Sequence, residues 1–176
     1  MIKKVLLSFL LSVAIVAGVI FLQGDSYTVV RTTTIAASPD RVFANVNDFH
    51  LWNEWSPWAK IDPAMKQAFS GAPAGTGAVY KWSGNKEAGE GSMTMSDSVP
   101  ADHITIQLAF TRPYVSESVI GFAMRAEGAG TKVSWTMHGR NNFALKAVAL
   151  FSSMDKLIGP DFERGLKQLK AVSEAR

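Results

Sequence analysis

The spacing of apolar positions changes three times along the chain, and each change marks a different kind of element. Val5 to Leu22 is an unbroken run of eighteen residues without a charge, preceded by Lys3 and Lys4. As a helix this run spans roughly 27 Å, close to the hydrocarbon thickness of about 30 Å. From Ser26 the pattern alternates: SYTVVRTTTIAA places Tyr27, Val29, Thr33 and Ile35 among β-branched neighbours and predicts a first strand. SPDRVFANVND then offers Ser38 as N-cap, Pro39 at the first helical position and Val42, Phe43 and Val46 at helical spacing, which predicts a short helix.

Six further strands are expected in MKQAFSG, TGAVYKWSG, GEGSMTMSDSV, DHITIQLAFT, SESVIGFAMRAE and GTKVSWTMHGR, separated by glycine-rich turns. Ile104, Ile106, Leu108 and Phe110 alternate with polar or small residues, and Val133, Trp135 and Met137 do the same. One face of the sheet is therefore dry and the other wet, as in an antiparallel sheet covered on one side. The last stretch returns to a helical period through Phe143, Ala147, Phe151, Met154, Ile158, Phe162, Leu166, Leu169 and Val172. Gly159-Pro160 interrupts it, and a kink or break is expected there because Pro lacks the N–H and restricts the residue before it. The fold class is α+β: an antiparallel sheet of about seven strands, one short helical region after the first strand, and a long C-terminal helix over the dry face.

This organisation divides the chain into residues 1–25 and a domain at 26–176. The first segment is longer than the apolar region of about 7 to 15 residues in a cleaved signal peptide, and LQGDS supplies no Ala-x-Ala site. An uncleaved membrane anchor over residues 5–22 is preferred to a cleaved signal or a buried core helix. Lys3 and Lys4 before the span and Asp25 after it orient the N-terminus to the cytoplasm. The expected location is the inner membrane, single-pass, with the domain facing the periplasm or cell exterior.

Charge and composition narrow the partners. Net charge is +3, but without Lys3 and Lys4 sixteen basic residues face fifteen acidic ones, and no basic cluster suggests nucleic acid. The absence of cysteine excludes disulfides, thiolate nucleophiles and Cys-type zinc sites. His50, His103 and His138 fall in separate elements, so no metal site is expected. GEGSM is not a nucleophile elbow, and GAPAGTG and GAGTK read as turns rather than phosphate loops.

Three places hold candidate chemistry. Trp52, Trp55 and Trp58, three apart, either plug one end of the core or form the rim of a pocket, the plug being preferred. TRPYVSESV brings Arg112 and Glu117 to a sheet end; with Glu90 they are the weak acid/base candidates, against the simpler reading of a surface turn. The dry faces carry Tyr80, Trp82, Met93, Met95, Phe110, Phe122, Met124, Trp135, Met137, Phe151 and Met154, which either line a ligand cavity or fill a core.

SPDRVFANVNDFHLWNEWSPW with Asp62-Pro63, and GPDFERGLKQLK at 159–170, resemble the polyketide-cyclase-type (SRPBCC) branch of the START/Bet v 1-like helix-grip superfamily. The resemblance implies a curved sheet wrapped round the C-terminal helix, two short helices after the first strand, a deep apolar cavity between sheet and helix, and no shared cofactor or metal. The expected function is binding of a hydrophobic small molecule or lipid without turnover, as a monomer. A cyclase- or hydrolase-like enzyme using the same cavity, and a protein-interaction or envelope-stress module, are the alternatives.

Overall fold

The computed structural model describes residues 2–175. Helix α1 (Ile2–Phe21) comes first and buries only Ile20. Strand β1 (Ser26–Ile35) follows, then α2 (Pro39–Asn47), a 3-10 turn (Phe49–Leu51) and the single-turn α3 (Trp52–Trp55). Strands β2 (Lys66–Gly71), β3 (Ala78–Ser83), β4 (Glu90–Val99), β5 (His103–Arg112), β6 (Ser116–Glu127) and β7 (Gly130–Arg140) lead to α4 (Phe143–Ala149) and α5 (Met154–Glu174). All six expected strands after β1 form. Pro39 opens α2 as its spacing requires, although the Ser38 side chain makes no capping bond.

The sheet is antiparallel throughout, in the order β1-β7-β6-β5-β4-β3-β2. Because β1 pairs with β7, the two termini of the sheet's chain path lie side by side, and α5 packs back across β1. Register shifts in β4 at Glu90/Gly91 and Met95/Asp97 interrupt the ladder, and such irregularities bend a sheet toward the layer it covers. The dry face carries Val29, Met95, Ile104, Ile106, Phe122, Val133 and Trp135, all buried against Val42 and Val46 of α2 and Phe162, Leu166 and Leu169 of α5.

Helix α5 is fixed at its far end by polar bonds to the end of β1 and the residue after it: Lys170 Nζ donates to Thr34 O at 2.7 Å, and Ala36 N donates to Glu174 Oε1 at 2.7 Å. Asn45 of α2 donates to Ser173 Oγ at 3.0 Å, joining both helices over the sheet.

The C-terminal region departs from the expected single helix. The break falls at 150–153, between α4 and α5, and α5 continues through Gly159-Pro160. A proline inside a helix loses one backbone bond and costs about 3 kcal/mol. Burial of Phe162, Leu166 and Leu169, each worth roughly 1.5–3 kcal/mol, exceeds that cost. Ser153 supplies a competing start signal at the true boundary by accepting from Lys156 N.

Candidate functional site: a cavity at one end of the sheet

The space between sheet and α5 is filled at one end and open at the other. A cavity of about 250 Å³ lies where β1 begins, β5 and β7 end, and α5 starts. Its wall can be followed strand by strand. Tyr27 lines it on β1, Leu108 and Phe110 on β5, Ser116, Ser118 and Ile120 on β6, and Met137 on β7. The next inward residues along the same strands, Val29, Ile106, Phe122 and Trp135, do not. On α5 the boundary falls between Ile158, which lines, and Phe162, which does not.

That boundary is a layer of stacked rings. Trp135 stacks on Phe162 with centroids 4.1 Å apart and on Phe122 at 4.9 Å. Trp55 meets Phe122 at 6.0 Å and Trp135 at 5.7 Å, both edge-on. Trp55 Nε1 donates to Asn45 O at 3.0 Å and Trp52 Nε1 to Val46 O at 2.9 Å, so both indoles enter the core with their N–H groups bonded. Trp58, half-buried, donates to Asp161 of α5 at 3.2 Å. The tryptophan series therefore divides its labour: Trp55 belongs to the layer that closes the cavity floor, while Trp52 and Trp58 also face the open space.

Of the residues expected on dry faces, Tyr80, Trp82, Met93, Phe110, Met137 and Met154 surround the cavity. Met95, Phe122, Met124 and Trp135 are buried in the filled half and do not line this cavity. Alternation along a strand fixes which face a side chain takes, but not how far along the strand the packing stops. Phe151 is a larger correction: it is 90% exposed, because the helix it was assigned to ends just before it.

The acid/base candidates lie elsewhere. Arg112 Nη2 pairs with Glu90 Oε2 at 2.7 Å, and Glu90 also accepts from Ser83 at 3.0 Å. The hydrogen bonds from Ser83 and Arg112 hold the Glu90 carboxyl below its ordinary range, as for a surface ion pair. Glu117 is exposed on the outer face of β6. Among the described residues around the cavity, Glu87 alone is charged, and it sits exposed in the β3–β4 turn. Also among the described residues, no three His, Asp or Glu side chains gather as a metal-ligand group.

Polar character inside the cavity comes instead from hydroxyls. Tyr27 Oη and Ser118 Oγ are 2.9 Å apart, and the Tyr27 hydroxyl points to Met137 Sδ at 3.9 Å. Gly139 makes room for this phenol: a Cβ there would stand 2.4 Å from Tyr27 Oη. Burial pushes the Tyr80 phenol up to about 12, so it stays neutral near pH 7. Sequence reasoning missed Tyr27, Leu108, Ile120, Ser118 and Ile158. Ser118 had a readable signal, a hydroxyl in phase with Ile120, Phe122 and Met124 on the dry face.

Residues 26–174 match the family described as polyketide cyclase / dehydrase and lipid transport. The chain belongs to that family. Solved structures share the fold across most of the domain. Protein CV1439 from Chromobacterium violaceum is 15% identical with a TM-score of 0.61, the alignment covering 84% of this chain and 96% of the other. Mll3558 from Rhizobium loti is 25% identical with a TM-score of 0.55, at 84% and 96% coverage. The Aha1 dimer from Colwellia psychrerythraea is 18% identical with a TM-score of 0.56, also at 84% and 96%. No curated protein matches the sequence. Membership of this family suggests hydrophobic ligand binding.

Proposed function

We propose that this protein is a membrane-anchored carrier or receptor domain that binds one lipophilic small molecule or acyl chain in the cavity, without turnover. The observation that carries the reading is the cavity itself: apolar on nearly all sides, closed below by the Trp55–Phe122–Trp135–Phe162 layer, and sized near the lower edge of small-molecule sites, roughly 300–1,000 Å³. Each methylene taken from water into it contributes about 0.8 kcal/mol. The Tyr27–Ser118 hydroxyl pair supplies an orienting contact for a polar head or ring oxygen. Helix α1, long and apolar enough to cross a bilayer, tethers the domain beside a lipid source, and the lysines before it favour a domain on the periplasmic side.

Acid/base chemistry by Glu90, Glu117 or Arg112 is disfavoured by their place outside the cavity. A protein-binding role for the tryptophan end is disfavoured by the burial of Trp52 and Trp55.

The test is organic extraction and native mass spectrometry of the full chain after detergent delipidation, beside an Ile158→Trp variant that fills the cavity. One lipophilic molecule retained per wild-type chain and none by the variant is the expected result. Equal retention by both would remove the cavity from the explanation.

A further inference from the structure

Helix α4 stands between the cavity and the outside. Its Leu145 lines the cavity, while Phe143 on the same helix is 63% exposed and Val148 is also exposed, with Phe151 just beyond its end. None of its residues is buried, and its principal neighbour is not the sheet but α1.

The contacts with α1 fix where α4 lies relative to a bilayer. Lys146 Nζ donates to Phe21 O at 3.3 Å and pairs with Asp25, and its ammonium stands over the Phe21 ring at 5.6 Å. Cations near the end of a spanning helix reach for the headgroup level, so this cluster marks the membrane surface. Phe143, one turn before Lys146, lies back along α1 beside Val13, Val16, Ala17 and Ile20. At 1.5 Å per residue the 20 residues of α1 give only about 30 Å, all of which a bilayer requires. Whatever packs against the C-terminal half of α1 therefore sits within the leaflet where α1 ends.

The apolar surface continues beyond α4. Asn142, which caps α4 by accepting from Leu145 N, also donates to Val115 O at 3.2 Å. This places the β5–β6 turn beside the helix, with Tyr114 66% and Val115 73% exposed. Two large side chains on a turn and three on or just after a short helix, all exposed, form a patch that water solvates poorly.

We propose that α4 is a membrane-seated lid. Phe143, Val148, Phe151, Tyr114 and Val115 rest in the leaflet where α1 ends, and lipophilic molecules pass between that leaflet and the cavity beneath Leu145. The docking half stands on the α1 contacts and on the bilayer-spanning α1 proposed above; the passage half rests on the binding function proposed there. With Lys146 held to α1, the lid is tied to the anchor more than to the sheet, and α4 can lift without breaking the core.

The chain has no cysteine, so single reporters are clean. Val115→Cys, Val148→Cys and Phe151→Cys, each carrying an environment-sensitive fluorophore, are made in the full chain and reconstituted into phosphatidylcholine/phosphatidylglycerol vesicles. Ala129→Cys, in the β6–β7 turn at the opposite end of the sheet, is the control. The first three labels are expected to lose most of their emission to nitroxide-bearing phospholipids, and the Ala129 label to lose it only to aqueous iodide. Iodide quenching of all four alike would overturn the docking surface. Screening from both quenchers would place a second copy of the chain on the patch and would equally overturn it.

For passage, a Val148→Asp/Phe151→Asp double variant is expected to take up a pyrene-labelled fatty acid from vesicles several-fold more slowly than wild type. An unchanged rate would overturn the lid. A wild-type chain that inserts its labels but takes up no fatty acid at all would sink the binding function and leave the docking surface standing.

Discussion

His103 is bracketed by two carboxylates at the end of the sheet away from the cavity, with Nδ1 at 2.8 Å from Asp102 and Nε2 at 2.9 Å from Asp97. Asp102 first and Asp97 second raise its pKa above the ordinary 6.5. A raised folded value means that the imidazolium stabilises the fold fully below pH 6.5 and that this contribution vanishes as pH rises through the folded pKa. Wild type is therefore expected to melt above a His103→Gln variant in mildly acidic buffer, and the gap is expected to close in alkaline buffer. Paired thermal melts across that range check it, and a gap independent of pH would contradict it. At the cavity floor, truncating Trp55 to Ala removes a fully buried indole together with its hydrogen bond to Asn45 O, so a loss of about 3–5 kcal/mol in urea unfolding is expected.

The seating of α5 on the sheet depends on two glycines facing different neighbours. A Cβ on Gly165 would stand 2.7 Å from the Trp135 ring and 3.0 Å from Pro57 Cδ, both rigid. A Cβ on Gly159 would meet Arg31 Nη2 at 2.0 Å, the far end of a flexible side chain. Arg31 bonds Asp155 and Glu163 at 2.7 Å each, so it has partners to lose but room to move. Gly165→Ala is expected to destabilise by about 1–3 kcal/mol through overpacking. Gly159→Ala is expected to cost less, and an Arg31→Ala background is expected to relieve part of that loss, leaving the crowding of the new Cβ by the ring of Pro160. A double-mutant cycle of chemical unfolding measures both, and equal losses at the two glycines would refute the distinction.

For the molecule as a whole, ligand binding and stability are linked. A ligand at about 100 times its Kd adds roughly 2.7 kcal/mol to unfolding. Medium-chain fatty acids are thus expected to raise the Tm of wild type in a concentration-dependent way and to leave Ile158→Trp unmoved. An upward shift of the same size in the variant would mean that the acid binds outside the cavity.

Strand periodicity, the Pro39 helix start and the charge-free run from Val5 to Leu22 were enough to read the element order and the fold class, because burial on one side of a strand or helix imposes a local spacing. The same spacing could not separate Met137, which lines the cavity, from Trp135 two residues away, which closes its floor. Nor could it see that α4 and α5 divide at 150–153 rather than at Pro160, since the contest there lies between one lost backbone bond and the burial of Phe162, Leu166 and Leu169 against a distant sheet. Local spacing sufficed to tell which face of each strand is dry. Where along those faces the packing ends was set in three dimensions, because that depends on how sheet curvature, helix length and ring stacking meet across residues far apart in the chain.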